Sequence, residues 1–256
     1  MRSNDFLLLV LLSCFIAYLP SAVHSANHIK KFRAATVPIV AFEPPQNTNG
    51  SHSRKFVIYG TGFIFQWNRR VVTCASVLDS IPSKHFLPTS YVGVLVKPKG
   101  SKKSLSEERE FHAIRVTAID RKMDLALLET DGDLPIKPLS RSGKSIDVGA
   151  VVSTTSFHKS QLLPTFYESK VSALVKANGM DNPYYSLLSP VGQGAHGSPV
   201  FSPTNGNLVG ILRVHTRLLS RTVHSLPGFE AEGLATAVVI PTENLLELLN
   251  KVPKQD

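Results

Sequence analysis

The stretch Gly192-Gln193-Gly194-Ala195-His196-Gly197-Ser198-Pro199-Val200-Phe201 carries the decisive reading of this 256-residue chain. Its first six residues match G-x-G-x-x-G, a pattern that cradles a dinucleotide pyrophosphate only where a helix opens from the last glycine. No helix opens here. Pro199 and Pro203 each remove a backbone donor, and Val200-Phe201 has the β-branched and aromatic character of a strand. The segment reads instead as a glycine-rich turn feeding a β-hairpin, with Pro199 to Ser202 as one strand, Asn205-Gly206 as the turn signal with type I′ geometry available to it, and Leu208 to Val214 as the return strand.

Working outward, most of the chain repeats this texture of short apolar runs between turn signals. Strands are expected over Val37 to Phe42, Phe56 to Trp67, Arg70 to Cys74, Tyr91 to Val96, Phe111 to Ile119 and Leu125 to Thr130. After the polar stretch Asp131 to Gly149, a second set is expected over Ala150 to Thr154, Thr165 to Leu174, Tyr184 to Ser189, Pro199 to Ser202, Leu208 to Val214 and Leu234 to Ile240, with Asn178-Gly179 as a further hairpin signal. Only Thr242 to Lys251 has helical period, carried by Leu245, Leu246, Leu248 and Leu249. Two groups of six strands predict an all-β chain of two barrels, the first over about 36–131 and the second over about 148–240, closed by a short C-terminal helix over 242–251.

Composition agrees with a packed fold. Hydrophobic residues make up 43% and charged residues 18%, which excludes a disordered or low-complexity chain. Two cysteines exclude a disulfide scaffold. A net charge of +9 favours acidic partners over basic ones and says nothing about fold.

At the N-terminus, Phe6 to Ala17 is a twelve-residue apolar run behind Arg2, ended by Pro20 and followed by the small residues Ser21, Ala22, Ser25 and Ala26. That is the length of a signal-peptide core and too short to span a bilayer, so residues 1–25 are expected to be cleaved after Ser25 and the remainder to be secreted without a stable membrane span. Cleavage there removes Cys14 and leaves Cys74 as the one thiol, hence no internal disulfide. Asn49-Gly50-Ser51 is a glycosylation sequon in a polar, turn-rich stretch, which makes Asn49 a candidate glycan site.

Four segments in order then carry a resemblance. Gly194-Ala195-His196-Gly197-Ser198-Pro199 and the hairpin after it resemble the G-x-S-G-G-P nucleophile segment of trypsin-like serine proteases. Gly60-Thr61-Gly62-Phe63-Ile64-Phe65 followed by Val71-Val72-Thr73-Cys74-Ala75-Ser76-Val77-Leu78 resembles the G-S/T-G-F-I-I and V-T-x-A-H-V-V pattern of the HtrA/Deg branch. Asp124-Leu125-Ala126-Leu127-Leu128 resembles that branch's triad-acid strand, and Gly233-Leu234-Ala235 through Ile240-Pro241-Thr242 resembles its exit into a terminal helix. The resemblance spans about Thr36 to Lys251, implies the trypsin-like double barrel, and includes no PDZ module.

The departures from that pattern are chemical. The resemblance places Ser76 where the family carries its general-base histidine, His196 where it carries the nucleophilic serine, and Asp124 at the retained acid. It also makes the backbone N–H groups of Gly194 and His196 the remnant of an oxyanion hole. A serine hydroxyl is a weak nucleophile unless an imidazole takes its proton, and removing either partner costs about 10^6-fold in kcat in a serine protease. The expected protein is a catalytically inactive pseudoprotease that binds a protein or peptide. An orphaned Asp124 is expected to be paired or protonated, with Ser76 and Arg213 as candidate partners, because a buried unpaired carboxylate is strongly disfavoured.

Two alternatives remain open at this point. An active hydrolase would need a swapped Ser76–His196 pair, or Ser198 as nucleophile, and a polyanion-binding module would exploit the +9 charge. Cys74 reads as a buried core thiol, no two histidines of the chain after residue 25 stand within four residues of each other, and neither metal nor cofactor is expected. Lys97, Lys99, Lys102 and Lys103 run into Glu107, Glu108 and Glu110, mixed signs that read as solvated surface and not as a nucleic-acid patch. Arg213, Arg217, Arg221 and His224 form a second basic stretch, a candidate contact for an acidic partner.

Overall fold

Short strands rich in Val, Ile and Phe cannot bury both faces or satisfy their edges in an open sheet of six, and closure solves both problems at once. The computed structural model describes residues 25–42, 56–82, 92–140, 145–158, 161–176, 182–188, 194–215 and 236–252. Within them the first six strands, β1 (Thr36–Phe42), β2 (Phe56–Ile64), β3 (Arg70–Thr73), β4 (Val92–Val96), β5 (Glu110–Asp120) and β6 (Leu125–Thr130), close in the order β1-β2-β3-β6-β5-β4. The next six, β7 (Val151–His158), β8 (Gln161–Val175), β9 (Tyr184–Leu187), β10 (Pro199–Phe201), β11 (Leu208–His215) and β12 (Thr236–Pro241), close as β10-β11-β12-β9-β8-β7. Every pairing is antiparallel, so the two six-stranded barrels expected from the strand pattern are present. Register shifts between Ile39 and Val40, Val116 and Ala118, Ser156 and His158, and Val171 and Ala173 mark the bends that let the strands curl shut.

Alternation along β11 and β12 decides what faces what. Leu212 and Val214, with Ala237 and Val239, point into the second barrel, whereas Ile211 and Ile240 join a larger cluster with Phe63, Leu125 and Leu127 of the first. Arg213 shares the Ile211 side of its strand and is aimed at the first barrel for that reason. The C-terminal helix, Thr242–Asn250, presses Leu245 and Leu248 onto the same cluster, and Thr242 Oγ1 donates to Leu208 O at 3.0 Å.

Three local features differ from expectation. A helix over 25–35, called α1 here, leads straight into β1, although the sequence predicts no helix outside the C-terminal one. Its apolar contribution is mainly one large side chain, Phe32, which stacks on Phe201 with ring centroids 3.9 Å apart, so tertiary packing and not periodicity fixes it. A short helix α2 (Ala75–Asp79) carries Ser76, and the C-terminal helix is accordingly α3. The Asn205-Gly206 hairpin is not type I′: of the two residues only Gly206, φ +67°, is left-handed, and Asn205 Oδ1 instead accepts the Asn207 amide at 2.9 Å. The glycine-turn Asn178-Gly179, the sequon at Asn49, residues 1–24 of the expected signal peptide, and Arg217, Arg221 and His224 lie outside the described residues.

Candidate functional site at the barrel junction

The turn that opened the sequence reading is bolted to the first barrel by one threonine. Thr61, on β2, donates its amide to His196 O at 2.9 Å and its hydroxyl to Gly194 O at 2.8 Å, while its own Oγ1 accepts the Phe157 amide at 2.9 Å. Thr73 Oγ1 returns to Thr61 O at 2.8 Å, and Cys74 Sγ donates to Leu212 O at 3.4 Å. Gly194 and Gly197 hold left-handed φ values of +102° and +83°. At Gly197 a Cβ would lie 2.1 Å from Thr61 O and 2.2 Å from Thr73 Oγ1, so only glycine admits this approach of the two barrels. The Gly60-Thr61-Gly62 motif signals a strand in the sequence; its role as the clamp on residues 194–197 emerges only from the fold.

Asp124 sits at the other side of the junction. Its backbone is left-handed, φ +58°, a conformation that an aspartate tolerates better than most residues, and its carbonyl accepts the Ala75 amide at 3.2 Å. The carboxylate is buried and both of its oxygens are engaged: Oδ1 accepts the Ser76 amide at 2.7 Å, and Oδ2 accepts Ser76 Oγ at 3.0 Å and lies 2.9 Å from Arg213 Nε. Both expected partners of Asp124 are therefore present together. Arg213, read from sequence as one of four residues offering charge to an acidic partner, spends its guanidinium on this carboxylate instead.

His196, half-buried, turns toward β11, where its Nδ1 lies 3.4 Å from the Val214 amide and accepts from it. That lone pair is then unavailable to take a hydroxyl proton. Ser76 Oγ, for its part, gives its proton to Asp124. Ser198 has no exposure, and its Oγ has no hydrogen-bond partner among the described residues, so neither a substrate path nor a base reaches it there. Between these groups the interior is protected from ionisation: burial, reinforced by the Asp124 charge, pushes the Cys74 thiol well up, and burial raises the Tyr184 phenol, whose hydroxyl also lacks a partner among the described residues. No group of three or more His, Cys, Asp or Glu side chains that could hold a metal occurs among the described residues.

Solved structures share this fold. A protease from M. tuberculosis in its active form superposes with a TM-score of 0.58 at 18% identity, covering 90% of this chain and 85% of that one. Deg5 gives a TM-score of 0.59 at 16% identity over 88% of this chain and 92% of its own. The HtrA-type protease AlgW, crystallised with a decapeptide, gives 0.60 at 16% identity over 88% of this chain and 66% of its own. At these identities the likeness is one of fold. No curated protein matches the sequence. No helix among the described residues is long and apolar enough to cross a membrane. The family model of the trypsin-like peptidase domain matches residues 60–211, more than half of the chain, a span that holds Thr61, Ser76, Asp124 and His196 and stops two residues before Arg213, and the chain belongs to that family.

Proposed function

We propose that this protein is a secreted, non-hydrolysing member of the trypsin-like family that acts by binding a protein or peptide between its barrels. The observation that carries this reading is the state of Asp124, whose carboxylate is held by Ser76 and Arg213 with no imidazole among the contacts that define it. A triad acid works by orienting a histidine and stabilising its cation. Here Ser76 stands where the family motif carries that histidine, and His196 stands where it carries the nucleophile, with its Nδ1 turned to a backbone amide. The chemistry left is recognition.

Peptide binding is supported by two features. An HtrA-type relative in fold is solved with a decapeptide. In this chain β10 pairs with β11 only as far as Ile211, so the backbone of 212–215 continues as a strand edge on that side, with the Leu212 groups satisfied by Gly197 and Ser198 and the Val214 amide covered by His196. An extended ligand can add to such an edge once the imidazole swings away. Secretion rests on the apolar run Phe6 to Ala17 and the small residues after it.

The test is direct. The unmodified protein, lacking residues 1–25, is incubated with a broad peptide library and with a fluorophosphonate probe for active-site serines. No cleavage and no labelling above a heat-denatured control is expected, and inhibitor-sensitive cleavage overturns the reading.

A further inference from the structure

The three sequence-remote basic segments 30–33, 97–103 and 137 meet in the folded chain. A cleft of about 620 Å³ lies between α1, the β4–β5 loop and the β7–β8 hairpin, and its rim carries Lys30, Arg33, Lys97, Lys99, Lys103 and Lys137. All six are exposed, and none has an acidic partner among the described residues. Glu107 and Glu108, which make the loop look neutral in sequence, are engaged within it: Glu107 accepts the Ser104 amide and hydroxyl at 2.8 Å and 2.5 Å, and Glu108 accepts Ser101 Oγ at 2.7 Å. Neither acid lines the cleft. Six like charges around one hollow repel one another, a cost that a polyvalent anion reverses.

The floor distinguishes among anions. Leu95, Val96, Phe157 and Leu162 underlie it, almost wholly buried, and Leu163, half-exposed at its edge, is the apolar side chain among these that it presents openly. The hydroxyls that a glycan would use are already committed, since Thr36 Oγ1 contacts Phe32 O and Thr155 Oγ1, and Ser101 and Ser104 hold the two glutamates. A sulfated or phosphorylated sugar would find charge but few neutral hydrogen-bonding partners. A peptide that alternates carboxylates with bulky apolar side chains matches both the cationic rim and the exposed Leu163 edge. We propose that this cleft docks an acidic, leucine-type segment of a partner protein, at a site separate from the barrel junction and independent of the non-hydrolytic reading given above.

The probe is a fluorescein-labelled decapeptide of alternating Glu and Leu, measured by anisotropy against the intact secreted form at low and physiological ionic strength. Comparison ligands are an alternating Glu-Ser decapeptide of equal charge and a heparin hexasaccharide. Saturable binding of the Glu-Leu peptide, weakening with salt, is expected. The triple variant Lys97→Glu, Lys99→Glu, Lys103→Glu is expected to lose about tenfold or more in affinity, these being exposed charges of modest individual effect. Lys170→Glu, on β8 away from the cleft, is expected to leave affinity unchanged, and Leu163→Ser to weaken the Glu-Leu peptide selectively. The proposal is overturned by any of the following: no saturable Glu-Leu binding, equal affinity for Glu-Ser, tighter binding of the heparin fragment, or a triple variant no weaker than Lys170→Glu.

Discussion

Replacing Arg213 by alanine should expose how far the junction depends on its ion pair. The Asp124 side chain is 5% exposed and that of Arg213 27%, with Nε 2.9 Å from Oδ2. Removing one member of a buried pair typically costs about 3–5 kcal/mol, because the remaining charge keeps its desolvation penalty and loses its counter-charge. Two features reduce that figure here. Ser76 still donates twice to the carboxylate, and the quarter-exposed guanidinium position admits water. About 3 kcal/mol is therefore expected, read as a lowered urea midpoint at pH 7 with an unchanged slope. Asp124→Asn should cost less, about 1 kcal/mol, since asparagine accepts the left-handed backbone and the Ser76 amide while the orphaned guanidinium hydrates. The double variant should fall short of the sum of the singles by about 1–2 kcal/mol. A cost for Arg213→Ala under about 1 kcal/mol, or a coupling within about 0.3 kcal/mol of zero, would refute the claim that this pair is structural.

Two further expectations follow from the same junction. Gly197→Ala should destabilise by more than about 3 kcal/mol in the same urea assay, combining a left-handed backbone with a Cβ placed 2.1 Å from Thr61 O; a cost under about 1 kcal/mol would mean that the barrels separate easily. Cys74, whose thiol burial holds well above its ordinary range, stays protonated when folded and ionises when unfolded, so the stability it contributes is complete below about pH 8.5 and declines as pH rises beyond that. Cys74→Ala should flatten that alkaline decline, and a thiol reagent should label the native chain no faster than it unfolds.

The barrels were legible in the sequence because each strand is short, apolar and bounded by turn residues, so local pattern and tertiary burial agree. Leu125–Thr130 coincides with its expected bounds, and the C-terminal helix announces itself through the spacing of Leu245 and Leu248. The helix over 25–35 was not legible, because Phe32 supplies most of its hold and finds its partner, Phe201, far along the chain. At the site, residue identities at 76, 124 and 196 could be read from motifs, and the Asp124–Arg213 pair from strand position. Thr61 as a clamp, the imidazole of His196 on the Val214 amide, and the cation-lined cleft could not, since each depends on segments joined only by the closure of two barrels. The Lys97 to Lys103 loop is exposed, as its mixed charges suggest, and what its sequence does not show is that Lys97, Lys99 and Lys103 share a cleft with Lys30, Arg33 and Lys137.

The geometry around Asp124 also bears on what a Ser-His-Asp triad at these positions would require. Exchanging Ser76→His and His196→Ser restores the residue types of a triad, but an imidazole at 76 must win Asp124 from Arg213, which already lies 2.9 Å from Oδ2. A guanidinium so close disfavours the imidazolium that forms when the base takes its proton, and its charge is permanent, so the base is weakened at every pH where the protein folds. Positions 76 and 213 are consequently coupled: Arg213 supplies the charge that faces Asp124, and the same guanidinium opposes an imidazole introduced at 76.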